Sequence, residues 1–427
     1  LAAGCAMKWN WAKHDEGGLV RHGLLLVVAT FLGALCNAVL HMALGRLLPN
    51  AEYGAFIAML GLIMVVATPM LALQNTLAHF VSHFVQENRA SEIRPLFFHW
   101  AKIFTALTVV LITAAWLGRG KLAAVWQVSP GLIVLTFAVL AASLWMYLFL
   151  GLLQGRQWFV WLAWAPQAWG VVRLVLGVIF AYWISATAFA ALAAQGFGVL
   201  SVLALCLLAT LLMRLPRGAG HVRPAETYRY LGSAVVCLAG YAMLMNLDTT
   251  LAKLYFDEEV AGLFAKAATI ARTAVFLPVP VAAALFPKVT STGELTDVSW
   301  RLLLRGLAFS GLLIAAVVGV CLLWPALPWT ILYGRWTAED AVFAAQLTRG
   351  MVLAMCPLAL AYLMLNFEMA QRRFRWCYAL VPCGLFYVGG VALFHQHPLQ
   401  IALLLGAMNL LAAVLLTTGI WTQRRRG

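Results

Sequence analysis

The sequence predicts an all-α integral membrane protein, with about twelve transmembrane helices in two parallel six-helix lobes around a central cavity. Three observations predict it. The 427 residues are 64% hydrophobic and only 10% charged, whereas soluble domains average about 45–50% apolar and about 25% charged. The apolar runs are long and continuous, which excludes the alternating strands of a barrel. The two halves of the chain also resemble each other.

A membrane-spanning helix takes about 20 residues. The first apolar run, 23–44, lies between Arg21 and Arg46. The second, 54–80, contains Pro69 and reaches His79; the third, 99–118, stops at Arg119 and Lys121. The fourth, 130–152, precedes Arg156, and the fifth, 159–182, carries Pro166 and Arg173. The sixth, 186–213, runs into a basic stretch containing Arg214, Arg217, Arg223 and Arg229. In the second half, 230–251 holds Asp248, and 260–287 holds Lys266, Arg272, Pro278 and Pro280. The runs 303–325, 342–368 (with Arg349 and Glu368), 377–395 and 399–421 complete the set. The predicted organisation is a segment 1–22, a lobe 23–213, a linker 214–229, a lobe 230–421 and a basic tail 422–427. Leu1 opens the chain and Met7 follows, so residues 1–6 are read as lying upstream of the natural start.

Charge orients these helices. The formal net charge is +14, from 29 Lys+Arg against 15 Asp+Glu. Nineteen of the basic residues fall in the N-terminal segment, alternate loops and the C-terminal tail, and five in the opposite loops. Cationic residues are retained on the cytoplasmic side. Both termini are therefore expected in the cytoplasm, in a multi-pass protein of the cell (inner) membrane. Sidedness explains most of the positive charge, and no nucleic-acid partner is expected. The Arg424–Arg426 run is read as a topology anchor or a contact with anionic lipid. Aromatic residues near span ends, among them Trp100, Trp324 and Trp329, are read as an interfacial belt.

The repeat rests on three segment pairs in the same order. LGRLLPNAEYGAF at 44–56 parallels LAKLYFDEEVAGLF at 251–264, aligning Gly54 with Gly262. Pro69 and Pro278 fall in equivalent spans, and LQGRQWFVW at 153–161 parallels MAQRRFRWC at 369–377. Six spans per half make the lobes parallel, related by an axis along the membrane normal, an arrangement suited to alternating access. Pro69, Pro278 and Pro280 are hinge candidates, because proline within a span frees a carbonyl and kinks the helix. Gly54 and Gly262 are expected to allow tight loop-to-helix turns.

Five basic residues fall in or at the margins of spans: Lys102, Arg173, Lys266, Arg272 and Arg349. A charge at mid-bilayer costs about 2.5–3.5 kcal/mol on insertion scales, so it persists where it meets a wet cavity, a partner or a ligand. Lys102 and Glu368 lie near the cytoplasmic margin and are expected to snorkel. Asp248 and Lys266 share a depth on neighbouring spans and are expected to pair, unless Asp248 serves a coupling ion (proton or sodium). Arg173, Lys266, Arg272 and Arg349 are the substrate-cavity candidates, since guanidinium groups fork onto anionic oxygens. The alternative for each arginine is a bond to helix carbonyls or to polar neighbours such as Gln167.

Several chemistries find no motif. The eight cysteines include no Cys-x-x-Cys pair, so neither a zinc site nor a disulfide framework is indicated. His79 and His83 share a helix face without a third ligand, and HExxH is absent; no metal is expected. GRGK at 118–121 lacks the spacing of a phosphate loop. No catalytic residues, enzyme activity or cofactor are expected.

LGRLLPNAEYGAF, followed by a long second span ending in LQNTLAHFVS, resembles the N-terminal signature of polysaccharide-biosynthesis membrane proteins. These are the O-antigen and oligosaccharide flippases of the multidrug/oligosaccharidyl-lipid/polysaccharide (MOP) exporter superfamily. LGLLQGRQWFVWLAWAPQAWGVVRLVLG, the segment from Met245 to Val289 and MLNFEMAQRRFRW extend the resemblance over nearly the whole chain. The resemblance implies a two-lobed transporter that moves polyprenyl-diphosphate-linked glycan from the cytoplasmic to the outer leaflet. Its implied partners are the lipid-linked glycan, the bilayer and glycan-assembly proteins. By carry-over, Arg173, Lys266 and Arg272 would meet the diphosphate or acidic sugars. An ion-coupled multidrug and toxin exporter of the same superfamily is the alternative, ranked lower because cationic drugs favour acidic cavities. A membrane glycan polymerase or ligase ranks below both, because the longest extracytoplasmic loop, about 326–341, is short.

Overall fold

A computed structural model describes residues 16–213, 224–279, 281, 297–334, 338–371 and 373–424. Among these residues the regular structure is helical throughout. The first lobe comprises α1 (Glu16–Leu47), α2 (Asn50–Ala67), α3 (Met70–Gln86), α4 (Ile93–Trp126), α5 (Pro130–Gly155), α6 (Phe159–Ile179) and α7 (Ala188–Met213). The second comprises α8 (Pro224–Tyr255), α9 (Glu258–Phe276), α10 (Asp297–Leu323), α11 (Ala326–Tyr333), α12 (Ala338–Ala370), α13 (Leu380–Leu393) and α14 (Pro398–Arg424). Ten helical stretches of the described residues are long and apolar enough to cross a membrane, with α2 and α3 forming one of them. Residues 377–393, with α13, form a shorter apolar helix, and α9 is a further helix of 19 residues. The chain is a multi-pass membrane protein.

Connectivity places the start of α1 and the end of α14 on one face, here the terminal face. The far face carries the turns after α1, α4, α6 and α8, together with α11. Within the first lobe α1 packs on α6, α6 on α7, and α5 on α3, α4 and α7. Within the second, α12 packs on α9, α10 and α14, and α13 on α8. The lobes meet where α2 lies against α8 and α9, while α1 reaches the second lobe mainly through α11 at the far face.

The repeat is visible in backbone geometry. α2 begins at Asn50 behind Pro49 (φ −55°, ψ 154°), and α9 begins at Glu258 behind Asp257 (φ −56°, ψ 154°). α2 ends at Ala67 just before Pro69, and α9 ends at Phe276 just before Pro278. Each proline therefore interrupts a span at the same depth, because its ring cannot donate into the helical ladder. Pro280 lies outside the described residues, as do 1–15, most of the linker 214–229 and the last three residues of the tail.

Four expectations change. The third span is longer than 99–118: α4 continues through GRGK to Trp126, where Gln127 ends it in the left-handed region (φ 51°). Trp100 and Trp329 are packed inside rather than belted at an interface; Trp329 Nε1 donates to Thr348 Oγ1 at 2.6 Å. Glu368 is fully buried rather than snorkelling, whereas Lys102 is exposed. Gly54 and Gly262 are the fifth residues of α2 and α9, neither with a positive φ, and serve a helix-to-helix contact instead of a turn.

Candidate functional site

The embedded polar residues gather in two clusters, one inside the first lobe and one where the lobes meet. α1 supplies Asn37 and His41, α2 supplies Asn50 and Tyr53, and α6 and α7 supply Arg173 and Gln195. From the second lobe come Asp248 on α8, Lys266, Thr269 and Arg272 on α9, and Tyr333 on α11.

Arg173 is 2% exposed. Its Nη1 donates to Gln195 Oε1 at 3.0 Å, its Nη2 donates to Asn37 Oδ1, and its guanidinium carbon lies 3.7 Å from the centre of the Trp169 ring. The polar partners are thus Asn37 and Gln195; Gln167 lies instead against Gly33 of α1. Two neutral amides and an aromatic face solvate the cation while leaving its charge in place. The same bonds tie α1, α6 and α7 together.

Asp248 is completely buried and forms an ion pair with Arg272, whose Nε also donates to Met245 O at 3.3 Å. The expected Asp248–Lys266 pair is not formed. Shared depth is insufficient, because Lys266 and Arg272 are six residues apart and so about 120° apart around α9. Arg272 faces α8, whereas Lys266 faces the first lobe. Its Nζ donates to Asn50 Oδ1 at 2.6 Å and lies 5.2 Å from the Tyr333 ring centre.

On the far-face side of Arg173 and Arg272, a cluster of contacts joins the two lobes. Tyr53 Oη lies 3.4 Å from His41 Nδ1 and 3.3 Å from Thr269 Oγ1, and its ring meets that of Tyr333 edge-on at 6.0 Å. Tyr333 Oη donates to Lys266 O at 3.0 Å, and Thr250 Oγ1 donates to Ala58 O at 2.8 Å. Arg46 Nε donates to Leu332 O at 3.1 Å, so an α1 side chain satisfies a carbonyl at the end of α11.

The structure therefore brings Lys266, Arg272 and Asp248 together where α8 and α9 meet α2, while Arg173 is bonded within the first lobe. It does not bring Arg349 there: Arg349 is exposed and its Nε donates to Leu322 O at 3.1 Å, at the C-terminal end of α10. Charge and depth marked it as a cavity residue, but its helix face turns it outward to a helix end, where a cation is favourable. Pro69 and Pro278 flank the seam at the ends of α2 and α9. His79 and His83 face each other with ring centres 6.4 Å apart, and His83 Nδ1 lies 3.3 Å from Glu87 Oε2. Among the described residues no group of three or more His, Cys, Asp and Glu side chains could hold a metal. Asn37, His41, Asn50 and Tyr53 carry no formal charge, so the cost of embedding charge does not mark them in the sequence. The i, i+4 spacing of Asn37 and His41 inside an apolar run was the available signal.

No family model matches the chain, and no curated protein sequence matches it. Solved structures do. A multidrug resistance MATE family transporter of the MOP superfamily, in an inward-facing conformation, superposes with a TM-score of 0.73 at 14% identity, over 92% of this chain and 94% of that one. The lipid II flippase MurJ in an inward closed conformation gives 0.69 at 12% identity, over 93% and 87%. A MOP superfamily transporter from Pyrococcus furiosus, described as having a binding pocket of reverse polarity that suggests a different function, gives 0.64 at 14% identity, over 95% and 94%. These neighbours are transporters and flippases, and the chain has the fold of MOP superfamily transporters.

Proposed function

We propose that the protein is a flippase that carries a polyprenyl-diphosphate-linked oligosaccharide across the cell membrane by alternating access. The observation that carries this reading is the polarity of the embedded groups. Arg173 keeps its charge against neutral amides, and the fully buried Asp248 is engaged by Arg272. The field left over is cationic, and it favours a diphosphate over a cationic drug. In this reading the terminal face is cytoplasmic and the far face external, following the basic-residue asymmetry. The gate at Tyr53, Tyr333 and Lys266 then closes the external side. Away from it, Arg272 retains 13% side-chain exposure, and Phe276, one turn further along α9, is 54% exposed. That geometry gives a charged headgroup and an apolar tail separate surroundings at one entrance.

The Asp248–Arg272 pair also supplies a route to ion coupling. A diphosphate that takes Arg272 leaves the buried Asp248 carboxylate without its counter-charge. Such a charge is costly unless a proton or cation replaces the arginine. Pro69 and Pro278, at matching depths in the two lobes, are the proposed bending points. A multidrug exporter is the second reading, favoured by the superposition on a multidrug resistance transporter.

The test is leaflet-resolved labelling of lipid-linked glycan in proteoliposomes and in a deletion strain. The reading requires glycan to move to the external leaflet with the protein and to accumulate on the cytoplasmic leaflet without it. Normal surface glycan in the deletion strain, together with raised sensitivity to cationic dyes, would transfer the assignment to drug export.

A further inference from the structure

A cavity of about 650 Å³ opens on the far face, separate from the embedded seam. The first lobe lines it with Glu52, Gln127, Ser129 and Phe189, and the second with Lys253 and Glu258. Much of the remaining wall is alanine and glycine, which leaves the space open. Lys253 is 1% exposed, with Nζ 3.1 Å from Oε1 of the half-exposed Glu258. Glu52 Oε2 accepts a 2.7 Å hydrogen bond from Ala188 N, in the first turn of α7. Each charged group keeps capacity for a ligand: an ammonium has three donors and a carboxylate has two oxygens.

The lining selects among ligand chemistries. One ammonium against two carboxylates gives an excess of negative charge, unlike the seam, so a diphosphate is disfavoured here. The volume far exceeds that of a single ion or water, about 30 Å³. Hydroxyl groups, which both donate and accept, match carboxylate, amide, hydroxyl and ammonium partners together. Phe189, 47% exposed, offers a ring face on which the C–H face of a sugar can rest.

We infer that this cavity is a carbohydrate subsite, taking neutral sugar residues of the glycan after their passage to the far face. The inference rests on the glycan-flippase reading. Because both lobes line the subsite, it exists in the conformation whose far-face gate is closed. A sugar held there stabilises that conformation by mass action and keeps released glycan outside the gate.

The experiment uses the full-length protein in lipid nanodiscs, with lactose and N,N′-diacetylchitobiose as probes read by saturation-transfer NMR and titration. The variants are Phe189→Ala, Gln127→Gly, which suits the left-handed backbone there, and Ala124→Trp, which fills the cavity from an exposed position. The expected result is saccharide binding by the wild type, weakened about ten-fold by Phe189→Ala and abolished by Ala124→Trp. Saccharide binding that all three variants leave unchanged would overturn the inference. So would an absence of binding by a wild-type preparation that flips lipid-linked oligosaccharide, and in that case the flippase reading stands. Absence of both binding and flipping defeats both readings, and rhodamine 6G binding that is lost in Ala124→Trp would assign the cavity to an organic cation.

Discussion

Gly54 and Gly262 meet across the lobe boundary. A Cβ built on Gly54 would lie 2.9 Å from the Cα of Gly262, and one built on Gly262 would strike the backbone carbonyl of Asn50. The two glycines are repeat mates, each the fifth residue of its helix. A residue that touches its own mate marks the pseudo-twofold axis between the lobes, as self-contacting residues do at an isologous interface.

The contact predicts a conformational phenotype. Leucine at either position forces α2 and α9 apart, and overpacking of this kind costs about 1–3 kcal/mol. That cost falls on the conformation in which the helices touch and is relieved when the far-face gate opens. Gly54→Leu and Gly262→Leu should therefore shift lobe-to-lobe distances toward the far-face-open state in spin-label measurements, with transport reduced. Unchanged distances in both variants would show that the contact does not govern the gate.

Much of this axis was readable in advance. The match of LGRLLPNAEYGAF to LAKLYFDEEVAGLF carries Gly54 onto Gly262, and the prolines that end α2 and α9 keep nearly the same spacing. Span positions follow from apolar length alone. Partner choice does not: depth can be counted along a sequence, but azimuth decides which neighbour a side chain meets. Asp248 was matched by depth to Lys266, yet α9 turns Arg272 toward α8. Arg349 failed as a seam residue for the same reason. His41 and Tyr53 carry no formal charge, so the cost of embedded charge does not point to them.

Removing half of the Asp248–Arg272 pair should be worse than removing both. Asp248→Asn leaves a largely buried guanidinium without its carboxylate, a loss of about 3–5 kcal/mol in comparable buried pairs. The double variant Asp248→Leu with Arg272→Met replaces the pair by apolar volume and should recover most of the thermal stability. It should not recover transport, because the cation offered to substrate and the acid offered to a coupling ion are both gone. Thermal unfolding in detergent beside a proteoliposome flipping assay separates the two effects. Restored transport in the double variant would remove the pair from the mechanism.

Arginine at 173 and arginine at 349 should respond oppositely to substitution. Arg173 binds two amides on different helices through separate guanidinium nitrogens and stacks on Trp169. An ammonium cannot reproduce that fork. Arg173→Lys should therefore lower flipping and thermal stability together, although the charge is kept. Arg349→Gln removes an exposed bond to the Leu322 carbonyl, for which about 0.5–1.5 kcal/mol is typical, and should leave flipping near the wild-type rate. A transport defect in Arg349→Gln with unchanged expression would return that residue to the candidate pathway.

The gate itself is held by a few neutral and charge-assisted hydrogen bonds, and these can be weakened without touching the Asp248 pair. Tyr53→Phe removes the hydroxyl that bridges His41 and Thr269 while keeping the ring against Tyr333. Asn50→Ala removes the acceptor of the 2.6 Å bond from Lys266 Nζ. The first change should cost the closed state about 0.5–1.5 kcal/mol, and the second about 1.5–3 kcal/mol because its donor is charged. A cysteine placed at Ala268, fully buried beside Thr269 on α9, reports the outcome through its rate of labelling by a membrane-impermeant maleimide added from the far face. Labelling should be slow in the otherwise wild-type background, faster with Tyr53→Phe and fastest with Asn50→Ala, because each lost bond raises the fraction of time the gate stands open. Equal rates in all three backgrounds would mean that helix packing at Gly54 and Gly262, rather than these bonds, keeps the far face shut.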